Sequence, residues 1–138
     1  MEQFAEYGHA LISIALFAGI LLALSPIIAL SKDAAGVESG ATPPEDYANK
    51  TYRLHRAYLN GAETLPVFIA VTLVAMIAGA SPFWVNVLAS LVLVSRLLML
   101  FLHLRGIGKP HSGVRSFTYV FGWACMALLA VFGVIAVF

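Results

Sequence analysis

Arg53, Arg56, Asn60 and Glu63 follow one another at spacings of three, four and three residues. At about 100° per residue they fall within an arc of roughly 80° on one helix. The result is one polar stripe of two guanidiniums, a carboxamide and a carboxylate. Arg96 lies inside a later apolar run, with His103 two turns on and on nearly the same face. Arg115 opens a further apolar run, with Ser116 beside it and Tyr119 four residues on. The arginines at 53, 56, 96, 105 and 115 outnumber the one acid inside an apolar stretch, Glu63. Such a surplus is what an anionic ligand would neutralise, and the planar fork of Arg grips a carboxylate bidentately. The plainer alternative is that Glu63 and Arg96 pair between helices and staple the structure.

The elements that must position these groups are membrane helices. Hydrophobic residues make up 61% of the 138 residues and charged residues 11%, about half the charged share of an average globular chain. Mean hydropathy is +0.91. So few charges could not cover a soluble domain of this size, so lipid is the expected solvent. The formal net charge of +1 gives no field for nucleic acid. The single cysteine, Cys125, excludes an intrachain disulfide. The start carries Glu2 and Glu6 and no Lys or Arg before His9, so no cleavable leader is expected.

Four spans are read, at roughly 10–30, 46–79, 83–104 and 114–138, forming an all-α four-helix transmembrane bundle in a single domain, 1–138. Thr42-Pro43-Pro44-Glu45-Asp46 is a turn and helix-start signal. Gly79-Ala80-Ser81-Pro82 is a tight turn. Pro66 either bends the second helix open near Glu63 or is a tolerated kink. Ala57, Gly61 and Ala62 allow close helix contact. Glu63, Arg56 and Arg96 facing lipid would together cost on the order of 10 kcal/mol, so they are expected to face the bundle interior or a wet cavity. His55 is expected at the interface, His111 in a loop and His9 at the outer edge. No spacing suggests zinc or haem, and no metal is expected.

The pattern Arg53-x-x-Arg56-Ala57-x-x-Asn60-x-x-Glu63, followed by Pro66, resembles the MAPEG family of membrane-associated proteins in eicosanoid and glutathione metabolism. Arg96 in the third helix and Arg115-Ser116-x-x-Tyr119 opening the fourth extend the likeness over all four helices. The resemblance implies homotrimers of four-helix bundles that bind glutathione near the cytoplasmic face, between neighbouring subunits. It implies that Arg53, Arg56, Asn60, Glu63, Arg96, Ser116 and Tyr119 form the glutathione site. Glu63 would take the ammonium and the arginines the carboxylates. Arg115 would act in catalysis by favouring the thiolate, since a nearby cation lowers a thiol pKa from about 8.5. Several members carry a Tyr late in helix three, where this chain has His103; a His one turn earlier in some members is Met99 here. His103 either donates to the thiolate, as a catalytic group, or bonds a neighbour.

Three functions follow from this reading. The first is a glutathione-dependent transferase or peroxidase acting on a small lipophilic electrophile dissolved in membrane lipid. The second is a binding or regulatory protein of the same fold without turnover. The third is a small transporter subunit, which the one-sided stripe disfavours because transporters use midplane sites. The expected setting is a bacterial inner membrane.

Lys32, Lys50, Arg53 and Arg56 lie in or beside the first loop, and Arg105, Lys109 and Arg115 in or beside the third. The positive-inside rule puts both loops in the cytoplasm and both termini outside. Cysteines introduced at Ala34 and Ser112 should therefore label with an impermeant maleimide only from the cytoplasmic side, and one at Gln3 only from outside. The reverse pattern would invert the topology.

Overall fold

The computed structural model describes residues 2–38, 40–108 and 113–138. Lys109, His111 and the labelling position Ser112 lie outside the described residues. A short 3-10 turn, Glu2–Tyr7, leads into four α-helices: α1 (Gly8–Ala34), α2 (Lys50–Ile77), α3 (Pro82–Arg105) and α4 (Val114–Val137). All four are long and apolar enough to cross a membrane, and the protein is a multi-pass, all-helical membrane protein. α1 packs on α2 and α3, and α4 packs on the same two helices.

Two boundaries differ from the sequence expectation. α1 continues four residues past Leu30 and takes Lys32 out of the loop into its last turn. α2 starts at Lys50 rather than Asp46, because Asp46 spends its carboxylate on a turn. Its Oδ1 accepts from the Ala48 N–H at 2.8 Å, the local bond by which Asp competes with helix. Asn49 then caps the helix, its Oδ1 accepting from the Thr51 N–H at 2.8 Å. α1 and α2 run unbroken through Pro26 and Pro66.

The interior is hydrocarbon. Phe68, Val85, Val92 and Leu129 are fully buried, and Phe17 packs on Phe68 with centroids 6.3 Å apart. The outer faces are equally apolar: Leu22, Leu30, Ile77, Phe83 and Phe117 are all exposed. Lipid is the solvent in which that costs nothing. At the end away from loops one and three, hydrogen bonds lock the bundle. Tyr7 donates to the Ala80 carbonyl at 2.6 Å. The Asn86 amide accepts from the Ala10 N–H at 2.9 Å and donates to the Glu6 carbonyl at 2.7 Å.

Glycine sets two close approaches. A Cβ at Gly61 would meet Leu21 Cδ2 at 2.5 Å, so the expected role of Gly61 in helix contact holds for α1 on α2. A Cβ at Gly122 would stand 2.5 Å from Ser95 Oγ and 2.6 Å from Arg96 Nη2. Gly122→Ala should therefore lower stability by about 1–3 kcal/mol through overpacking. Gly19→Ala, where nothing lies within 4 Å, should be neutral or slightly stabilising. Thermal unfolding of both variants in detergent micelles compares them; equal midpoints would mean that α3 and α4 are not held at this spacing.

Candidate functional site

The site begins in the loop before α2. Because the helix starts late, Tyr47 stays outside it, and α2 reaches back to fix the loop. Arg53 Nη1 donates to the Tyr47 and Ala48 carbonyls, both at 2.7 Å. The same Arg53 side chain packs on Gly106, where an added Cβ would stand 3.3 Å from Arg53 Nε. Gly106 ends α3 in the left-handed conformation, φ +67°, a backbone state that favours glycine. One arginine thus ties loop one to the end of α3.

Between these loops lies a cavity of about 210 Å³. Its wall is Arg56 and Asn60 of α2, Met99 and His103 of α3, Arg115, Ser116, Tyr119 and Val120 of α4, and Tyr47 of the loop. A guanidinium, a carboxamide, an imidazole, a hydroxyl and a phenol, singled out by spacing and by the family resemblance, therefore converge from three helices. No acid lines it.

Arg115 is 5% exposed. Its Nη2 donates to the Gly108 carbonyl, while its Nε and Nη1 are buried and have no partner. Its Cζ lies over the Tyr47 ring, 4.7 Å from the centroid. His103 is buried, and its Nδ1 sits 3.0 Å from the Met99 carbonyl oxygen. A carbonyl only accepts, so Nδ1 carries the proton and the neutral ring leaves a lone pair on Nε2. Asn60 is oriented in the same way. Arg96 Nη1 donates to its Oδ1 at 3.2 Å, which leaves the amide N–H groups as donors toward the cavity.

Arg96, Arg53 and Glu63 do not line the cavity. Arg96 is 3% exposed and holds the wall from behind. Besides Asn60, it donates to Thr64 Oγ1 at 3.4 Å and to the Tyr119 carbonyl at 3.1 Å. Its Cζ stands 5.2 Å from the Tyr119 ring centroid. No carboxylate is among these partners, so the Glu63–Arg96 staple does not form. Glu63 itself is exposed on α2, not turned into the bundle as expected. Arg56 is exposed too, but on the cavity wall.

His55, near the start of α2, is buried, 7% exposed. With Lys32, Asp33 and Tyr58 it lines a second cavity of about 230 Å³ between α1, α2 and loop one. Lys32 Nζ donates to the Ala41 carbonyl at 2.6 Å, and His55 Nε2 is buried without a partner. Tyr47 and this second cavity escaped sequence reasoning. Only the late start of α2 reveals Tyr47, and an Asx turn at Asp46 was the available signal.

Hydrogen bonds from a charged donor contribute about 1.5–3 kcal/mol each, and Arg96 makes its bonds inside the bundle. Arg96→Leu should unfold at a lower temperature, with a loss of about 3 kcal/mol or more. Glu63→Gln, with no intrachain partner to lose, should stay within about 0.5 kcal/mol of wild type. Thermal unfolding monitored by circular dichroism separates the two; a large loss for Glu63→Gln would restore the staple.

No curated protein matches the chain. The profile of the MAPEG family matches residues 10–135, a range that takes in all four helices and every wall residue of the cavity. The chain belongs to the MAPEG family.

Proposed function

We propose that this protein is a glutathione-dependent membrane enzyme, a transferase or peroxidase acting on a small lipophilic electrophile. The observation that carries the reading is Arg115: two buried N–H donors without partners, on the wall of a cavity that holds a second arginine and no acid. Glutathione brings two carboxylates, an ammonium and a thiol, and the residues present fit it. Arg56 and the Asn60 amide are donors for a carboxylate. Arg115 is placed to stabilise a thiolate.

The chain's own groups supply the proton path. His103 Nε2 is unprotonated in the neutral ring and accepts the thiol proton; the charged ring and Arg115 then hold the sulfur anion. That sulfur forms a bond to the electrophilic carbon as the leaving group departs with its electron pair. His103 afterwards returns the proton to solvent or to the leaving group. Met99 and Val120 give the apolar side of the cavity, which suits a lipid-dissolved partner. A second reading, a binding protein without turnover, is favoured by His103 standing where several family members carry Tyr.

The working unit in this proposal is a homotrimer. At about 210 Å³ the cavity is smaller than the ~300–1,000 Å³ of sites that enclose a drug-sized ligand. Glu63, exposed on an apolar helix, is costly to leave against lipid. A neighbouring chain relieves both. The cavity of Lys32, His55 and Tyr58 opens at the same end of the bundle, and a neighbour presenting it would enlarge the site and add a cation.

Purified trimer in mild detergent should bind glutathione and conjugate it to 1-chloro-2,4-dinitrobenzene. Glu63→Gln should remain folded and trimeric while affinity falls at least about tenfold, the worth of one charge-assisted contact. Arg115→Lys keeps charge but loses the fork; it should weaken binding less and move thiolate formation to higher pH. Titration calorimetry and the thiolate absorbance read both. Binding without conjugation selects the second reading. Wild-type affinity in Glu63→Gln, or a clean monomer that still binds, would remove the stripe or the trimer from the site.

A further inference from the structure

We infer that Tyr47 is a positioning residue of the anion site: its ring fixes the plane of the Arg115 guanidinium in the wall of the cavity. The inference deepens the proposed glutathione reading and names a residue outside the helical pattern.

A guanidinium is planar, with all its N–H donors at the edges and none on the faces. Two constraints determine where those edges point. The first lies in the plane: Nη2 of Arg115 donates to the Gly108 carbonyl. A bond to one nitrogen still lets the group swing about that axis. The second lies on the face: the Tyr47 ring is 4.7 Å from Arg115 Cζ, within the range of a cation–π contact. Together they fix the guanidinium both in its plane and about its bonded axis, and leave Nε and Nη1 as its buried, unpartnered donors.

Tyr47 can serve this purpose because it is itself held. Arg53 grips its carbonyl at 2.7 Å and leans on Gly106. Its ring meets Tyr52 edge-on, with centroids 5.2 Å apart. Tyr52 is buried at the start of α2. Gly108 takes its place for a related reason: a Cβ there would stand 3.3 Å from Arg115 Nε. The ring face, not the hydroxyl, carries the contact, so phenylalanine should replace tyrosine and an aliphatic side chain should not.

The test has two arms on the full chain in detergent. In the first, without glutathione, phenylglyoxal modification of Arg115 is followed by peptide mass spectrometry. Wild type and Tyr47→Phe should react at equal, slow rates, and Tyr47→Leu and Tyr47→Gln at least threefold faster. Equal rates in all four proteins would overturn the inference whatever the protein binds. In the second arm, Tyr47→Leu should lose roughly two- to thirtyfold in glutathione affinity, the range of a cation–π contact. Its bound thiolate should form at higher pH, and Tyr47→Phe should restore both. Wild-type affinity and pH profile in Tyr47→Leu would also overturn it. A wild type that fails to bind glutathione would instead remove the proposed function, and the first arm would still judge Tyr47. The pH profile separates positioning from a general loosening of loop one, which would lower affinity without moving the pH at which the bound thiolate forms.

Discussion

The structure is organised around a buried arginine that has no acid. Arg96 lies in the core of a bundle whose surroundings are lipid, where an unpaired charge is among the most expensive groups a helix can carry. Its charge is instead spread over dipoles: the Asn60 amide, the Thr64 hydroxyl, the Tyr119 carbonyl and the Tyr119 ring. Those partners belong to α2 and α4, so satisfying the guanidinium fixes α3 against both. Gly122 lacks a side chain where the guanidinium crosses α4. Ser95, next in sequence, donates to the Thr118 carbonyl at 2.7 Å and extends the same seam.

The same constraint shapes the site. Using Oδ1 of Asn60 for Arg96 settles which way the amide faces, and using the carbonyl of Tyr119 settles the rotation of the first turns of α4. The charges then divide by depth. Arg96 uses both terminal nitrogens inside the bundle and leaves only Nε without a partner, whereas Arg115 leaves Nε and Nη1 without one. Among the described residues no carboxylate pairs with Arg115. The two arginines therefore play different parts in the packing, and spacing alone does not show which of them finds its partners inside the bundle.

Much of the architecture was legible because the helical period is short. Four apolar runs and the stripe from Arg53 to Glu63 need only the spacing of residues three and four apart. The convergence of Arg56, Asn60, His103, Arg115, Ser116 and Tyr119 required tertiary packing, and the family likeness supplied it. What remained hidden depended on choices that one residue makes between equal local bonds. Asp46 could cap a helix or close a turn; it closes a turn, and Tyr47 is freed from α2. Glu63 could reach Arg96 or face outward; the hydroxyl of Thr64, bonded to the Asn60 carbonyl at 2.7 Å, already occupies the inner position beside the guanidinium. Lys32 reads as a loop cation, yet its stem is buried and its ammonium serves the Ala41 carbonyl.

The hydrogen bonds at the closed end have a mechanical consequence. α1 has 27 residues and is about 40 Å long at 1.5 Å per residue. Its apolar stretch, 10–30, matches the roughly 30 Å of a hydrocarbon core, so the last turn with Lys32 and Asp33 extends beyond it. Asn86 and Tyr7 pin one end of this rod to α3 and to the turn before it. Any rocking of the rod about that pinned end is largest at the other end, where about 3° over 40 Å displaces the tip by roughly 2 Å. The tip carries Lys32 and Asp33, at the mouth of the cavity it shares with His55. Rocking of α1 about its pinned end would therefore change the width of that cavity before it disturbed the core.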